Sequence, residues 1–446
     1  MVRLSEHKHQ TENKAIEILS PPERVYIPVV QHLGKACNPL VVVGDQVFLG
    51  QKIAAVDAHV YSPIHASVSG KVAAIQEWPH PSLGRCKTIV IENDGQDKSR
   101  ILPPSDINKG GIPPVIKSPG GTNPKSQAEV DSLTCDQIRK IVLEAGIVGM
   151  GGASFPSHIK LNPPKPLDTL IVNGAECEPY LTCDYRLMVE KTQEIIKGIG
   201  ILARCVGVKK VYIAIEDNKP EAIKAFGCQS VKDPGYQVVV LRSAYPQGGE
   251  KQLIKNVLGK EVPQGKLPFD IGVLVHNVGT VLAVYEAAYL NKPLYERVVT
   301  VTGSCVQNPK NLLVRIGTPI KELIGRCGPL LQEPAKIIVG GPMMGLAQFS
   351  EDVPVIKSTT GVLLFNKKES QAQEEQFCIR CGSCIRECPV GLMPTLINLS
   401  SQKQMWQEAK DHGALDCIEC GICGFVCPSN IRLVQSIKRA KLEAVK

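Results

Sequence analysis

CIRCGSCIRECP at 378–389 and CIECGICGFVCP at 417–428 share one cysteine spacing, CxxCxxCxxxCP. Three thiolates on a tight loop cap three irons of a cubane, while the fourth cysteine of such a run, carried beyond the loop, ligates the other cluster. The ligand sets therefore interleave: Cys378, Cys381, Cys384 and Cys427 for one [4Fe–4S] cluster, and Cys388, Cys417, Cys420 and Cys423 for the other. Structural zinc takes paired CxxC knuckles and not a triple followed by CP. The proline after each fourth cysteine removes an N–H and turns the chain away. Between the two runs LINLSSQKQMWQEAKD (396–411) reads as helix. A helical double [4Fe–4S] ferredoxin-type domain is expected over 353–446, with electron transfer as its chemistry.

The eight ligands belong to a set of 17 cysteines in 446 residues, a length suited to about three domains. The other nine, Cys37, Cys86, Cys135, Cys177, Cys183, Cys205, Cys228, Cys305 and Cys327, show no ligand spacing and are expected to be buried, inert thiols. Lys and Arg number 51 and Asp and Glu 43, a balance of +8 without a long basic run, so no nucleic-acid partner is expected. No stretch reaches the roughly 18 apolar residues of a spanning helix. Residues 1–13 are charged and His-rich and lack the apolar core of a signal peptide, so a soluble chain inside the cell is expected. Aromatics at 4 % leave the core to Val, Ile, Leu and Ala, which suits sheets covered by helices.

Upstream of the cysteines the chain reads as four further regions, giving a multidomain α+β protein. Over 1–100, short β-prone runs such as VYIPV (25–29), DQVFL (45–49) and KTIVIE (87–92) are punctuated by Gly, Pro and Asn. GDQVFLGQKIAAV (44–56) and SPIHASVSGKVAAI (62–75) form two similar halves, and the module resembles the barrel-sandwich hybrid of lipoyl and biotinyl domains. VDAHVYS (56–62), at the tip between the halves, holds no lysine for a swinging arm, which leaves a scaffold. Residues 101–130, with GGIPP and SPGGTNP, read as a linker. From 131 to 268 the helical spacing of Leu133, Ile138, Ile141, Val142 and Ala145 precedes strands at TLIVN (169–173), KKVYIAIE (209–216) and GYQVVVL (235–241), an α/β alternation. Strands RVVTVTGS (297–304), NLLVRIGT (311–318) and AKIIVGG (335–341), with one short helix at 319–326, predict a β-grasp unit over 269–352.

Within the α/β region, Gly149-Met150-Gly151-Gly152-Ala153-Ser154-Phe155-Pro156 is followed by Lys160. Consecutive glycines let backbone N–H groups approach a phosphate, and a lysine adds charge. A dinucleotide fingerprint would need GxGxxG directly after a strand, but Ser154 breaks the pattern and a helix precedes it. NGAECEPY (173–180), GGEK (248–251) and HNVGT (276–280) are three more polar loops, each following a strand-like run. All four resemble loops of the flavin-binding, NADH-oxidising subunit of respiratory complex I, whose patterns are GRGGAGFPTGxK, NADExEPG, GEE and an NVET-like segment. With the barrel before and the double cysteine run after, the whole order resembles the RnfC family, the peripheral subunit of Rnf ferredoxin:NAD oxidoreductase complexes.

The resemblance implies non-covalent FMN held by Gly149, Gly151, Gly152, Lys160, Asn173, Glu176, Asn277 and Thr280, with Gly249 and Glu250 closing the pocket. Phe155 and Glu178 would face NADH or NAD+ as the catalytic pair. Met150, Ser154 and Lys251 depart from the pattern, standing where arginine, glycine and a second acid are usual. The third unit would be a soluble-ligand-binding β-grasp (SLBB-like) module. The implied partners are the other Rnf subunits, with ferredoxin reached indirectly, and the implied place is the cytoplasmic face of a bacterial membrane, with reversible electron flow coupled to Na+ or H+. A soluble reductase of the cobalamin reductase type shares the flavin loops and clusters but not the barrel, and a flavin-free electron wire is the other alternative. Lys438, Arg439 and Lys441 near the carboxyl end would offer a basic docking face.

Overall fold

The structure, a computed structural model, describes residues 1–99, 124–230, 235–371 and 373–444. Among them the strands form four sheets. Two belong to the barrel: Arg24–Pro28, Gly84–Asn93, Gly70–His80 and Gln46–Val47 in one, and Asn38–Pro39, Lys52–Ala55 and Ile64–His65 in the other. Alternate residues point to one face of a strand, so Val25 and Ile27 meet Ile89 and Ile91 and face Ile53 and Ile64 of the second sheet.

The α/β unit has a parallel sheet ordered Tyr236–Leu241, Lys210–Glu216, Thr169–Gly174, Val273–Asn277. Leu170 and Val172 pack under helices Cys135–Glu144, Thr192–Val206 and Val278–Leu290, while Ile171 faces Leu253 and Ile254 of helix Glu250–Leu258. The sheet is thus covered on both faces, as a parallel sheet must be. The chain leaves strand 169–174 towards one edge and returns to its other side at 273–277, which opens a crevice at the carboxyl ends of these two strands.

The pairing moves three expected boundaries. Strand Val273–Asn277 and the helix after it complete the α/β unit, so the β-grasp unit starts beyond Leu290 and not at 269. Strand Gly361–Phe365 pairs with Glu296–Thr302 inside a six-stranded sheet, so the cluster domain starts after it and not at 353. Strand Ile16–Ile18 pairs with Lys310–Arg315, which takes the first 18 residues away from the barrel. Of the expected linker, 101–123 lies outside the described residues, and helix Gln127–Asp131 already packs Val130 into the α/β core.

Helix Ile320–Arg326 covers the six-stranded sheet through Leu323 and Ile324. In the cluster domain the stretch read as one helix is two, Pro394–Gln402 and Trp406–Asp411, broken where Gln404 takes φ 59°. No helix among the described residues is long and apolar enough to cross a membrane.

Candidate functional site

Asn173 and Asn277 are register partners at the carboxyl ends of the two strands that flank the crevice. Asn173 Nδ2 donates to the Gly248 carbonyl at 2.9 Å, tying the second loop to the third. Asn277 caps helix Val278–Leu290 by accepting from Gly279 N at 2.9 Å, and its Nδ2 donates to Asp184 Oδ2 at 2.7 Å. Thr280 Oγ1 accepts from Met150 N at 2.9 Å, which draws the glycine loop onto the same helix. Lys160 Nζ lies 2.7 Å from Glu250 Oε1 and 3.2 Å from the Val275 carbonyl. The loops named from sequence are therefore brought together at one crevice.

The glycine loop closes on itself through Gly149 N to the Phe155 carbonyl, 2.9 Å, and leaves Gly151, Gly152 and Ala153 exposed. A Cβ on Gly151 would stand 2.8 Å from Asn277 Nδ2, so only glycine allows this approach. Ser154 holds φ 54°, the left-handed conformation that the glycine of the resembling pattern adopts without strain. Met150, in place of an arginine, is buried in the α/β core. The residues fit a phosphate-bearing group: amide-rich exposed glycines, open space around Gly152, Lys160 for charge, and His276 Nε2 and Ser157 Oγ buried without a partner.

Glu176 turns inward. Its carboxylate accepts from Asp184 N at 2.7 Å and Tyr185 N at 3.1 Å, the free amides at the start of helix Cys183–Glu190. Ligand atoms of Glu176, Cys183 and Asp184 lie within 4.8 Å of one another, beside buried Arg297. Burial and then the Glu176 charge push Asp184 up, and burial pushes the Cys183 thiol well up. Burial also pushes His276 down to about 3, so it is a neutral imidazole.

Glu178, expected to face the nicotinamide, is held by the β-grasp unit. Its carboxylate accepts from Met343 N at 3.1 Å and Met344 N at 2.9 Å in the β-grasp unit, with the Tyr245 hydroxyl 3.5 Å away. Two amides of a tight turn offset part of what the carboxylate loses on leaving water. A Cβ on Gly341 would lie 2.2 Å from Glu178 Oε2, so glycine opens that turn. Burial pushes Glu178 up to about 7. For Phe155, the structure fixes the backbone carbonyl at Gly149.

The cysteines gather in the two interleaved sets. Cys384 feels the charges of Cys427, Cys381 and Cys378, whereas Cys423 feels Cys417, Cys420 and Cys388. Four thiolates of this kind are the donor set of a cubane. The sets differ in exposure: Cys378 and Cys381 are exposed, Cys420 and Cys423 buried. Amides point at sulfur at Leu392 N to Cys388, 3.3 Å, and Glu419 N to Cys417, 3.4 Å, bonds that raise a cluster's potential. Tyr245 joins the two halves of the site, since its hydroxyl donates to the Cys420 carbonyl at 2.8 Å and it packs with Cys420, Ile422, Cys177 and Met343.

Tyr245, Asp184, Arg297 and Lys8 carry no local sequence signal, because their partners lie far away in the chain. At the carboxyl end Lys438 and Lys441 both pair with Glu419, at 3.4 and 2.6 Å, and Arg439 lies over the Trp406 ring, so two of these three cations share one carboxylate. One other expectation is corrected. Cys135 and Cys228 are exposed, being on the outer sides of their helices, while Cys86 and Cys177 are half-buried.

Four family models match the chain: the RnfC barrel sandwich hybrid domain at 2–96, the Nuo51 FMN-binding domain at 142–286, the SLBB domain at 298–347 and the 4Fe-4S dicluster domain at 377–431. The chain is 44 % identical over 445 residues to the C subunit of the proton-translocating ferredoxin:NAD(+) oxidoreductase complex of Clostridium ljungdahlii, covering 99 % of this chain and 93 % of that one. Its identity to the C subunit of the Na(+)-translocating ferredoxin:NAD(+) oxidoreductase complex of Acetobacterium woodii is 43 % over 440 residues, covering 98 % and 95 %. To the C subunit of the ion-translocating oxidoreductase complex of Rhodobacter capsulatus it is 42 % over 441 residues, covering 98 % and 80 %. With all four domains matched in order and such identity along nearly its whole length, the chain belongs to the RnfC family, the C subunits of the ion-translocating ferredoxin:NAD(+) oxidoreductase complexes.

Proposed function

We propose that this chain is the peripheral electron-transfer subunit of a bacterial Rnf complex, passing electrons between NAD(H) and the complex's other iron–sulfur subunits, with ferredoxin reached through them. The observation that carries this reading is the join between the loop crevice and the buried cysteine set, Tyr245 Oη to the Cys420 carbonyl at 2.8 Å. When bound, FMN would supply hydride exchange with NADH and the two [4Fe–4S] clusters one-electron transfer. Gly149, Gly151 and Gly152 would hold the flavin phosphate with their amides, and Lys160, Asn173, Asn277 and Thr280 would shape the rest of the pocket. Glu250 fixes the Lys160 ammonium at 2.7 Å, and Gly249 opens helix Glu250–Leu258 beside it. Glu176 supports the floor by capping the helix below, so it orients the pocket. Phe155 stays the candidate for contact with the nicotinamide nucleotide, whereas Glu178 serves the join to the clusters.

The chain's residues set the order of transfer. Cys388, Cys417, Cys420 and Cys423 would hold the cluster next to the α/β unit, and Cys378, Cys381, Cys384 and Cys427 the one at the surface. Exposure of Cys378 and Cys381, with Phe377 95 % exposed beside them, marks the outer cluster as the exit to a partner subunit. Translocation of Na+ or H+ belongs to membrane partners, and this subunit docks on the cytoplasmic face.

Anaerobic titration of the reconstituted full chain with NADH, following flavin bleaching and cluster EPR together, tests the reading. About one FMN, about eight irons and NADH-dependent reduction of both clusters are expected from the two-cluster pattern. Eight irons without flavin, and no response to NADH, would leave a wire and place the hydride step on another subunit.

A further inference from the structure

The first dozen residues, charged and His-rich, are woven into the site. Among residues 2–8 the even positions turn inward and the odd ones outward, and the chain bends at His7, φ 51°, to send Lys8 into the interior. Val2 pairs with Tyr245 through N–H to carbonyl bonds of 3.0 and 2.8 Å, and Val2 and Leu4 pack on the core of Tyr245, Cys420 and Ile422. Tyr180 N donates to the Glu6 carbonyl at 2.7 Å, and the His7 ring stacks on Tyr180 at 4.6 Å. Arg3, Glu6 and Lys8 form one wall of a cleft whose other wall includes Cys177, Glu216 and Tyr245.

Lys8 ends this inward row. Its side chain is buried, and Nζ donates to the carbonyls of Glu176 and Glu178 at 2.9 Å each and to that of Leu181. All three ammonium donors are thus spent on one six-residue stretch. Those carbonyls converge because Glu176 and Tyr180 hold φ 45° and 69°, conformations that side-chain-bearing residues rarely take. A ring of inward carbonyl oxygens repels itself unless a cation fills it. The same stretch carries Glu176, under the crevice, and Glu178, against Met343, Met344 and Tyr245.

We propose that Lys8 is a positioning residue: its ammonium moulds the 176–181 loop, and through Glu178 and Tyr245 the strap 2–12 sets the register between the flavin crevice and the cluster of Cys388, Cys417, Cys420 and Cys423. The inference rests on the electron-transfer reading above. It separates Lys8 from a general stabiliser, because its loss should loosen one loop and slow one transfer.

The test compares wild type, Lys8→Met and Lys14→Met, all as reconstituted full chains. Lys14 lies further along the strap and donates to the Pro309 carbonyl, away from the loop. Without cofactors, hydrogen exchange of the 175–182 amides should quicken at least tenfold in K8M and stay at wild-type rates in K14M. With cofactors, anaerobic stopped-flow with NADH should show cluster reduction in K8M slowed at least tenfold more than flavin bleaching. Should K8M fail to load iron, Lys8→Gln, which keeps a donor for one carbonyl, carries the same comparison. Unchanged loop exchange, equal slowing of both phases, K14M matching K8M, or failure of both Lys8 variants to load FMN and iron would each overturn the proposal. A wild-type chain that ignores NADH would overturn the electron-transfer reading instead, and the exchange result would still judge the loop.

Discussion

Single residues decide how closely the loops meet. Gly151→Ala would drive a Cβ into Asn277, and so break the Asn277 to Asp184 bond that holds the helix start. We expect FMN affinity to fall about tenfold or more, ~1.4 kcal/mol, in a fluorescence titration. Gly152→Ala meets nothing within 4 Å and should leave the fold unchanged, which makes it the control. Lys357 is a second buried ammonium, donating to the carbonyls of Gly146 at 2.6 Å and Pro63 at 2.7 Å where barrel, α/β unit and β-grasp unit meet. Burial pushes it from 10.5 down to about 7. Between those values the unfolded chain carries a proton the folded chain lacks, so the penalty of the buried charge is full below about 7 and stability climbs as pH rises towards 10.5. Lys357→Met should flatten that climb in melting curves taken across the window, and an unchanged slope would refute the assignment. The eight ligands were legible in the sequence because one loop carries each triple. The backbone partners of Glu178 were not legible, because Met343 and Met344 lie 165 and 166 positions away.

At the scale of elements, helix Leu433–Glu443 serves the inner cluster by anchoring its loop. Lys441 Nζ reaches the Cys417 carbonyl at 3.0 Å and Glu419 Oε1 at 2.6 Å, and Glu419 itself holds φ 57°. Lys441→Met leaves this strained turn without its tie, at a cost of about 1–3 kcal/mol. Faster iron loss from the inner cluster than from the outer, followed by EPR during chelator challenge, is the expected result; equal loss would discard the role. The helical spacing from Leu133 to Ala145 and the strand runs at 169–173, 209–216 and 235–241 were readable in the α/β unit, whereas strand Val273–Asn277 and the helix after it fell outside its expected bounds. The break at Gln404 was not readable, since the apolar pattern continues across it.

At the scale of the molecule, the proposed order of transfer puts the two clusters in series. Cys420→Ala removes a ligand of the inner cluster and should stop NADH from reducing the outer one. Cys381→Ala should leave the inner cluster reducible and halt transfer to a partner. EPR of the two variants after NADH addition distinguishes these outcomes, and reduction of the outer cluster in C420A would show a path that avoids the inner one. The sequence by itself determined the cofactor chemistry, because thiolate spacing and glycine-rich loops are local features written in a few consecutive residues. It also determined the order of the modules, though the edges at 269 and 353 moved, since a strand's sheet is chosen by distant partners and not by its own residues. Only the tertiary structure decided what joins the modules. Tyr245 on Cys420, Glu178 on the 343–344 amides and Lys8 inside the 176–181 loop each unite residues at least 165 positions apart, and burying a polar group makes such distant bonds obligatory without marking either partner in the sequence.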